Sequence, residues 1–159
     1  MLSPDNTQFN STSEPNPENN NFTYQEQLVQ ILAEQLLDIY KAATEIAQNL
    51  IVDPNQKFTE NEDNLALFIN LCTSYSEAVS QLYQSNIEIL PAQTITRLKQ
   101  YRSEIGGKKY SIISQKAELL LQNYKVYPNQ NPDLYLVLNN ILNNVRAGEQ
   151  LITLKLSTL

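Results

Sequence analysis

The residues best suited to binding chemistry lie between positions 97 and 125, where positive charge and tyrosines occur together. Seven Lys or Arg side chains stand there against two Glu, which gives the stretch a net charge of +5. Residues 1–96 carry thirteen acidic and two basic side chains, a net charge of -11, in a chain whose total is -6. A basic, tyrosine-rich stretch is typical of surfaces that bind RNA, DNA or an acidic protein. The alternative is internal compensation, in which the basic helices lie beside the acidic ones.

Tyrosine supplies contact area with a polar tip, and it is enriched at interfaces and on base-stacking platforms. The sequence pI of about 4.6 argues against free nucleic-acid binding, because nucleic-acid-binding domains are usually basic. We therefore expect a protein partner, with nucleic acid bound only as part of a complex. The candidate partner-binding residues are Arg97, Lys99, Arg102, Lys108, Lys109, Tyr110, Lys116 and Tyr124.

The residue types that carry most enzyme chemistry are scarce in this chain. Histidine is absent and Cys72 is the single cysteine, so neither an intrachain disulfide, a Cys/His zinc site nor a histidine base can be built. Cys72 stands at an apolar position of a predicted helix with no basic neighbour in sequence, which indicates a small buried hydrophobe. The sequence predicts no catalytic residues, no metal ligands and no cofactor, and therefore a protein that is not an enzyme.

Two long helices must position the basic stretch. The first is predicted over 23–52 and opens with a capping box formed by Thr23 and Glu26. Its apolar residues form a heptad seam, a row of side chains at alternating spacings of three and four residues on one side of a helix. This first heptad seam consists of Val29, Leu32, Leu36, Ile39, Ala43, Ile46 and Leu50.

The second long helix is predicted to open with a capping box at Thr59 and Glu62 and to end before Pro91. Its heptad seam consists of Leu65, Phe68, Cys72, Tyr75, Val79 and Leu82. Because a short proline-containing loop joins the two long helices, they are predicted to form an antiparallel hairpin.

Three shorter helices are predicted after the hairpin. The third covers about 92–105 and ends at Gly106, because two consecutive glycines favour a cap and a chain reversal. The fourth covers about 109–127, and the fifth begins at Pro132 and ends at Gly148. Residues 149–159 are expected to extend the last helix or to form an apolar strap.

The predicted fold class is all-α, an antiparallel bundle of four to five helices led by the N-terminal hairpin. Residues 1–22 contain few apolar side chains and are predicted to be a disordered polar tail, and 23–148 form the bundle domain. Neither a signal peptide nor an apolar run long enough to span a bilayer is apparent, so we expect a cytoplasmic protein.

The function predicted from these features is a non-catalytic helical interaction protein: an adaptor, an assembly factor or a small subunit of a larger complex. It would bind a protein partner through helical faces and the basic, tyrosine-rich stretch, and its heptad seams would allow a homo-oligomer. One alternative is an accessory nucleic-acid-binding subunit that uses residues 97–125. Another is a carrier of a small ligand or lipid inside the bundle.

Overall fold

A computed structural model describes residues 17–52, 62–107, 110–126 and 132–159, and these form a bundle of α-helices. A short 3₁₀ turn at Ile87–Ile89 precedes the third helix, and no strand occurs among the described residues. The predicted all-α antiparallel bundle led by two long helices is confirmed. The helices are α1 (Pro17–Asn49), α2 (Glu62–Tyr83), α3 (Ala92–Ile105), α4 (Ile112–Val126) and α5 (Pro132–Leu156).

Helix α1 begins at Pro17, ahead of the predicted start at Thr23. Proline suits the first turn of a helix because its missing N–H has no intrahelical partner there. Thr23 lies inside the helix and is not its cap. Residues 1–16, most of the predicted tail, lie outside the described residues, and so does the predicted cap at Thr59.

The heptad seam of α2 forms the centre of the core. Helix α2 packs on α1 and α5, while α3 and α4 close the bundle against the same two helices. Because the buried rows of α1 and α2 both pack in the core, an oligomer would have to use other faces of the helices. The buried seam residues of α2 are Leu65, Phe68, Cys72, Tyr75, Val79 and Leu82, as predicted.

The buried side of α1 is rotated away from the predicted heptad seam. Ala33 and Ala47 lie fully buried at its centre, because small side chains let two helix backbones approach closely. Four predicted seam residues are also buried: Val29, Leu36, Ala43 and Leu50. Three others are half-buried at the edge of the core: Leu32, Ile39 and Ile46.

Helix α5 continues through Gly148, where the sequence predicted its end. A Cβ at Gly148 would lie 3.3 Å from Cγ1 of Val79, so the glycine allows close packing of α5 on α2. The glycine costs the helix about 1 kcal/mol relative to alanine, which the continued burial of α5 offsets. Ile152 and Leu156 are fully buried beyond it, so most of 149–159 extends the helix and no separate strap forms.

Lysines from other helices bind the C-terminal ends of α1 and α2, which have no basic residue in their own last turns. Lys116 of α4 donates a hydrogen bond to the Leu50 carbonyl, and Lys155 of α5 donates to the carbonyls of Tyr83 and Ser85. The last carbonyls of a helix carry partial negative charge and lack intrahelical donors, so these contacts stabilise both helix ends.

We expect Ala47→Leu to lower the free energy of unfolding by about 1–3 kcal/mol, because extra methylenes do not fit a close-packed contact. Ala66→Leu, at an exposed position of α2, is the matched control and should change stability by less than about 0.5 kcal/mol. Urea unfolding of the variants measures both values. Equal stability of the two variants would contradict the observed register of α1.

Candidate functional site

Two of the predicted partner-binding residues contact α1 or the residue that follows it. Arg97 of α3 forms an ion pair with Glu34, with 2.5 Å between Nη1 and Oε1. The ammonium of Lys116 binds the Leu50 carbonyl beyond α1, and partial burial lowers the pKa of this lysine. At Arg97 the basic stretch compensates a carboxylate of the acidic first helix, as the second interpretation of the charge pattern proposed.

Three more of the predicted residues are described, two on α3 and one just before α4. Tyr110 is exposed, and its ring centroid lies 4.1 Å from the guanidinium carbon of Arg146. Lys99 is exposed and Arg102 is half-buried on α3, and neither forms an ion pair with another described residue. Three predicted side chains lie outside the described ones: Lys108, Lys109 and Tyr124.

A buried polar network, which sequence reasoning missed, joins α2, α3 and α5. Tyr75 donates a hydrogen bond to Oε2 of Glu149 at 2.6 Å, and its oxygen lies 2.7 Å from that of Tyr101. Because the single Tyr75 proton points to the carboxylate, Tyr101 is the donor in the second contact. All three side chains are buried, at 0 %, 2 % and 4 % exposure for Tyr75, Tyr101 and Glu149. We call these three residues the core network.

Tyr40 of α1 connects the core network to the surface. Its ring centroid lies 4.9 Å from that of Tyr101 in an edge-to-face contact and 5.8 Å from that of Tyr75. Its hydroxyl donates to Oε1 of Glu104 at 2.9 Å. An open groove of about 300 Å³ lies there between α1 and α3, and its walls carry both signs of charge. This groove therefore favours neither a cation nor an anion.

Burial controls the ionisation of Glu149. Loss of solvation raises the pKa of Glu149 from 4.5 to about 7, while hydrogen bonds from Tyr75 and Ser111 and the charge of Arg146 partly offset this effect. Burial also raises the pKa of the Cys72 thiol to about 12, with a further contribution from Glu149. Cys72 is therefore a protonated core residue at neutral pH, as its sequence position indicated, and not a thiolate nucleophile.

The outward side of α5 carries no charge over the range 136–154. Every exposed position there is an apolar residue or an amide. The charged residues Arg146 and Glu149 are engaged elsewhere, Arg146 with Glu118 and Glu149 with Tyr75. Six outward residues repeat at spacings of three and four, and we call them the α5 outer face: Val137, Asn140, Asn144, Ala147, Leu151 and Leu154.

Helix α1 presents a second outward row. Tyr24, Leu28 and Ile31 are 66 %, 48 % and 52 % exposed on consecutive turns. The row continues at the same spacings into an acidic half that contains Asp38 and Glu45, both exposed. We call the whole row the α1 outer stripe: Tyr24, Leu28, Ile31, Gln35, Asp38, Ala42 and Glu45.

No protein-family model, curated protein or solved structure matches this chain. The described residues contain no group of three or more His, Cys, Asp or Glu side chains placed to hold a metal ion. Within the same part of the chain, no helix is long and apolar enough to cross a membrane.

We expect Glu149 to make the free energy of unfolding fall as pH rises from about 4.5 to about 7. In this window the unfolded chain loses the Glu149 proton and the folded chain keeps it, so ionisation favours unfolding. The stabilising contribution is complete below pH 4.5 and is lost by about pH 7, and the shift in pKa corresponds to about 3 kcal/mol. Urea unfolding at several pH values measures the slope.

The variant Glu149→Gln should remove this part of the pH dependence, because an amide does not ionise. Glu77→Gln, at an exposed position of α2, is the control and should unfold with the wild-type slope. Identical pH dependence in wild type and Glu149→Gln would contradict the burial of an uncharged carboxyl group.

Proposed function

We propose that this chain is a non-catalytic helical interaction protein, an adaptor, assembly factor or small subunit, that binds a protein partner through the α1 outer stripe. The observation that supports it most is the exposure of Tyr24, Leu28 and Ile31 on consecutive turns of one helix. A contiguous exposed apolar patch bordered by polar side chains is typical of an interaction site. Tyrosine is also among the residues that contribute most to binding energy at interfaces.

The charge of α1 defines the partner's chemistry. Lys41 is the single basic residue of the helix, while Asp38 and Glu45 continue the outer stripe beyond its apolar half. Residues 24–45 extend over about 32 Å of helix. A matching partner is an amphipathic helix with apolar side chains at one end and Lys or Arg at the other, because it would bury the apolar half and pair with the two carboxylates.

The histidine content of the chain and the state of its one thiol support a non-catalytic function. The chain has no histidine, and its one thiol, on Cys72, is fully buried with its pKa raised to about 12. Histidine therefore supplies no general base, and cysteine supplies no thiolate nucleophile at neutral pH.

The contacts of the basic stretch favour a protein partner over nucleic acid. Arg97 binds Glu34 and Lys116 binds the Leu50 carbonyl, so both cations are already engaged by contacts within the bundle. Nucleic acid bound through Lys99 and Arg102 is the alternative that the experiment must separate.

We expect Ile31→Lys to weaken capture of the partner from cells by at least about tenfold, because it places a cation at the centre of the apolar half. Leu67→Lys, at an exposed apolar position of α2, is the matched control and should capture the partner like the wild type. Quantitative mass spectrometry of proteins cross-linked to the full chain measures the amount of partner captured by each variant relative to the wild type. Higher salt should lower the amount captured, because salt screens the pairing of opposite charges.

An identical set of captured proteins with Ile31→Lys and wild type would contradict the proposal. Loss of the captured material on nuclease treatment, or on changing Lys99 and Arg102 to Glu, would favour the nucleic-acid alternative. Circular dichroism of each variant separates loss of binding from loss of fold.

A further inference from the structure

The α5 outer face has the residue spacing of a helix–helix interface but is exposed in the described structure. Its six residues run from Val137 to Leu154, a length of about 27 Å along the helix. Leu154 is 68 % exposed and Leu151 is 46 % exposed, so apolar side chains at one end of the row face solvent. An alternating spacing of three and four residues aligns such a row with a second helix that crosses at a small angle.

Charge favours a second copy of this chain as the occupant. The chain has a net charge of -6, and α1 presents the exposed carboxylates Asp38 and Glu45, so two copies that meet through acidic surfaces repel each other. The exposed residues of 136–154 are uncharged, so over this range two copies can meet without bringing like charges together, and the nearest exposed charge of the row is Asp133, one turn before Val137.

The two asparagines in the row favour pairing of the α5 outer face with the same face of a second copy. An Asn side chain carries both donors and acceptors, so Asn140 and Asn144 can each form hydrogen bonds with their own counterparts across a two-fold axis. An apolar partner helix would bury both amides without partners, at about 1–3 kcal/mol for each unsatisfied group. A parallel pair places every residue of the row opposite itself, and polar residues at such positions fix the register of parallel helices.

We propose that two copies of this chain form a parallel homodimer through the α5 outer face. This surface is distinct from the α1 outer stripe, so the dimer does not depend on the proposed function, and each copy keeps its α1 outer stripe accessible. Asparagine and alanine in the row bury less apolar area than leucine, so the dimer is weak and depends on protein concentration.

The first test is the mass of the full chain in solution. Sedimentation equilibrium over about 10–300 µM should show the mass rising from 18.1 kDa towards twice that value. Leu151→Lys should raise the dimer Kd by at least about tenfold, because it places two like charges in contact across the axis. Ile31→Lys, which blocks the α1 outer stripe, is the control and should leave the Kd unchanged.

Disulfide trapping tests the parallel arrangement. Leu151→Cys should form a covalent dimer on mild oxidation, because parallel pairing brings the two Cα atoms within about 7 Å. Ile31→Cys should remain a monomer, and Cys72 does not compete because it is fully buried. A monomer at every concentration, a dimer unaffected by Leu151→Lys, or a dimer that Leu151→Cys does not trap would each overturn the proposal. The first two results would leave the proposed function of the α1 outer stripe unaffected.

Discussion

The hydrogen bond from Tyr75 to Glu149 places a carboxyl group in the core of the bundle, where an unsatisfied polar group is costly. The carboxyl accepts hydrogen bonds from Tyr75 of α2 and from Ser111, the residue before α4, and Tyr101 of α3 binds the Tyr75 hydroxyl. A rotation or shift of one helix would separate these groups. An apolar core tolerates many similar packing arrangements, whereas a connected polar network favours a single arrangement. We therefore infer that the core network sets the register of the helices.

The same register determines which faces of α1 and α5 remain exposed. Helices α1 and α5 each have an inner row that packs in the core and an outer row at the same spacing on the exposed side. In α1 the inner row is rich in alanine and brings the backbones together, and the outer row is apolar at one end and acidic at the other. In α5 the outer row is uncharged. These chemical differences favour a basic helical partner for the α1 outer stripe and a second copy of the chain for the α5 outer face.

The sequence predicted the order of the helices and the core of α2, because a regular apolar row leaves few alternatives. It failed where packing overrides local preference. Ala33 and Ala47 are weakly hydrophobic, and their burial depends on how closely α2 approaches. Gly148 predicts a helix end by propensity, but contact with Val79 explains its position inside α5. Glu149 occupies a core position of that helix, and the hydrogen bonds from Tyr75 and Ser111, which lie outside α5, explain why a carboxyl group is stable there.

The carbon-13 NMR titration of the Glu149 side-chain carboxyl in the full chain tests this account most directly. We predict that the carboxyl titrates with a midpoint near pH 7, because burial removes its solvation and the hydrogen bonds from Tyr75 and Ser111 offset this effect only in part. A midpoint near the ordinary value of 4.5 would show a solvated carboxylate. That result would contradict the core network and the register of the helices that we derive from it.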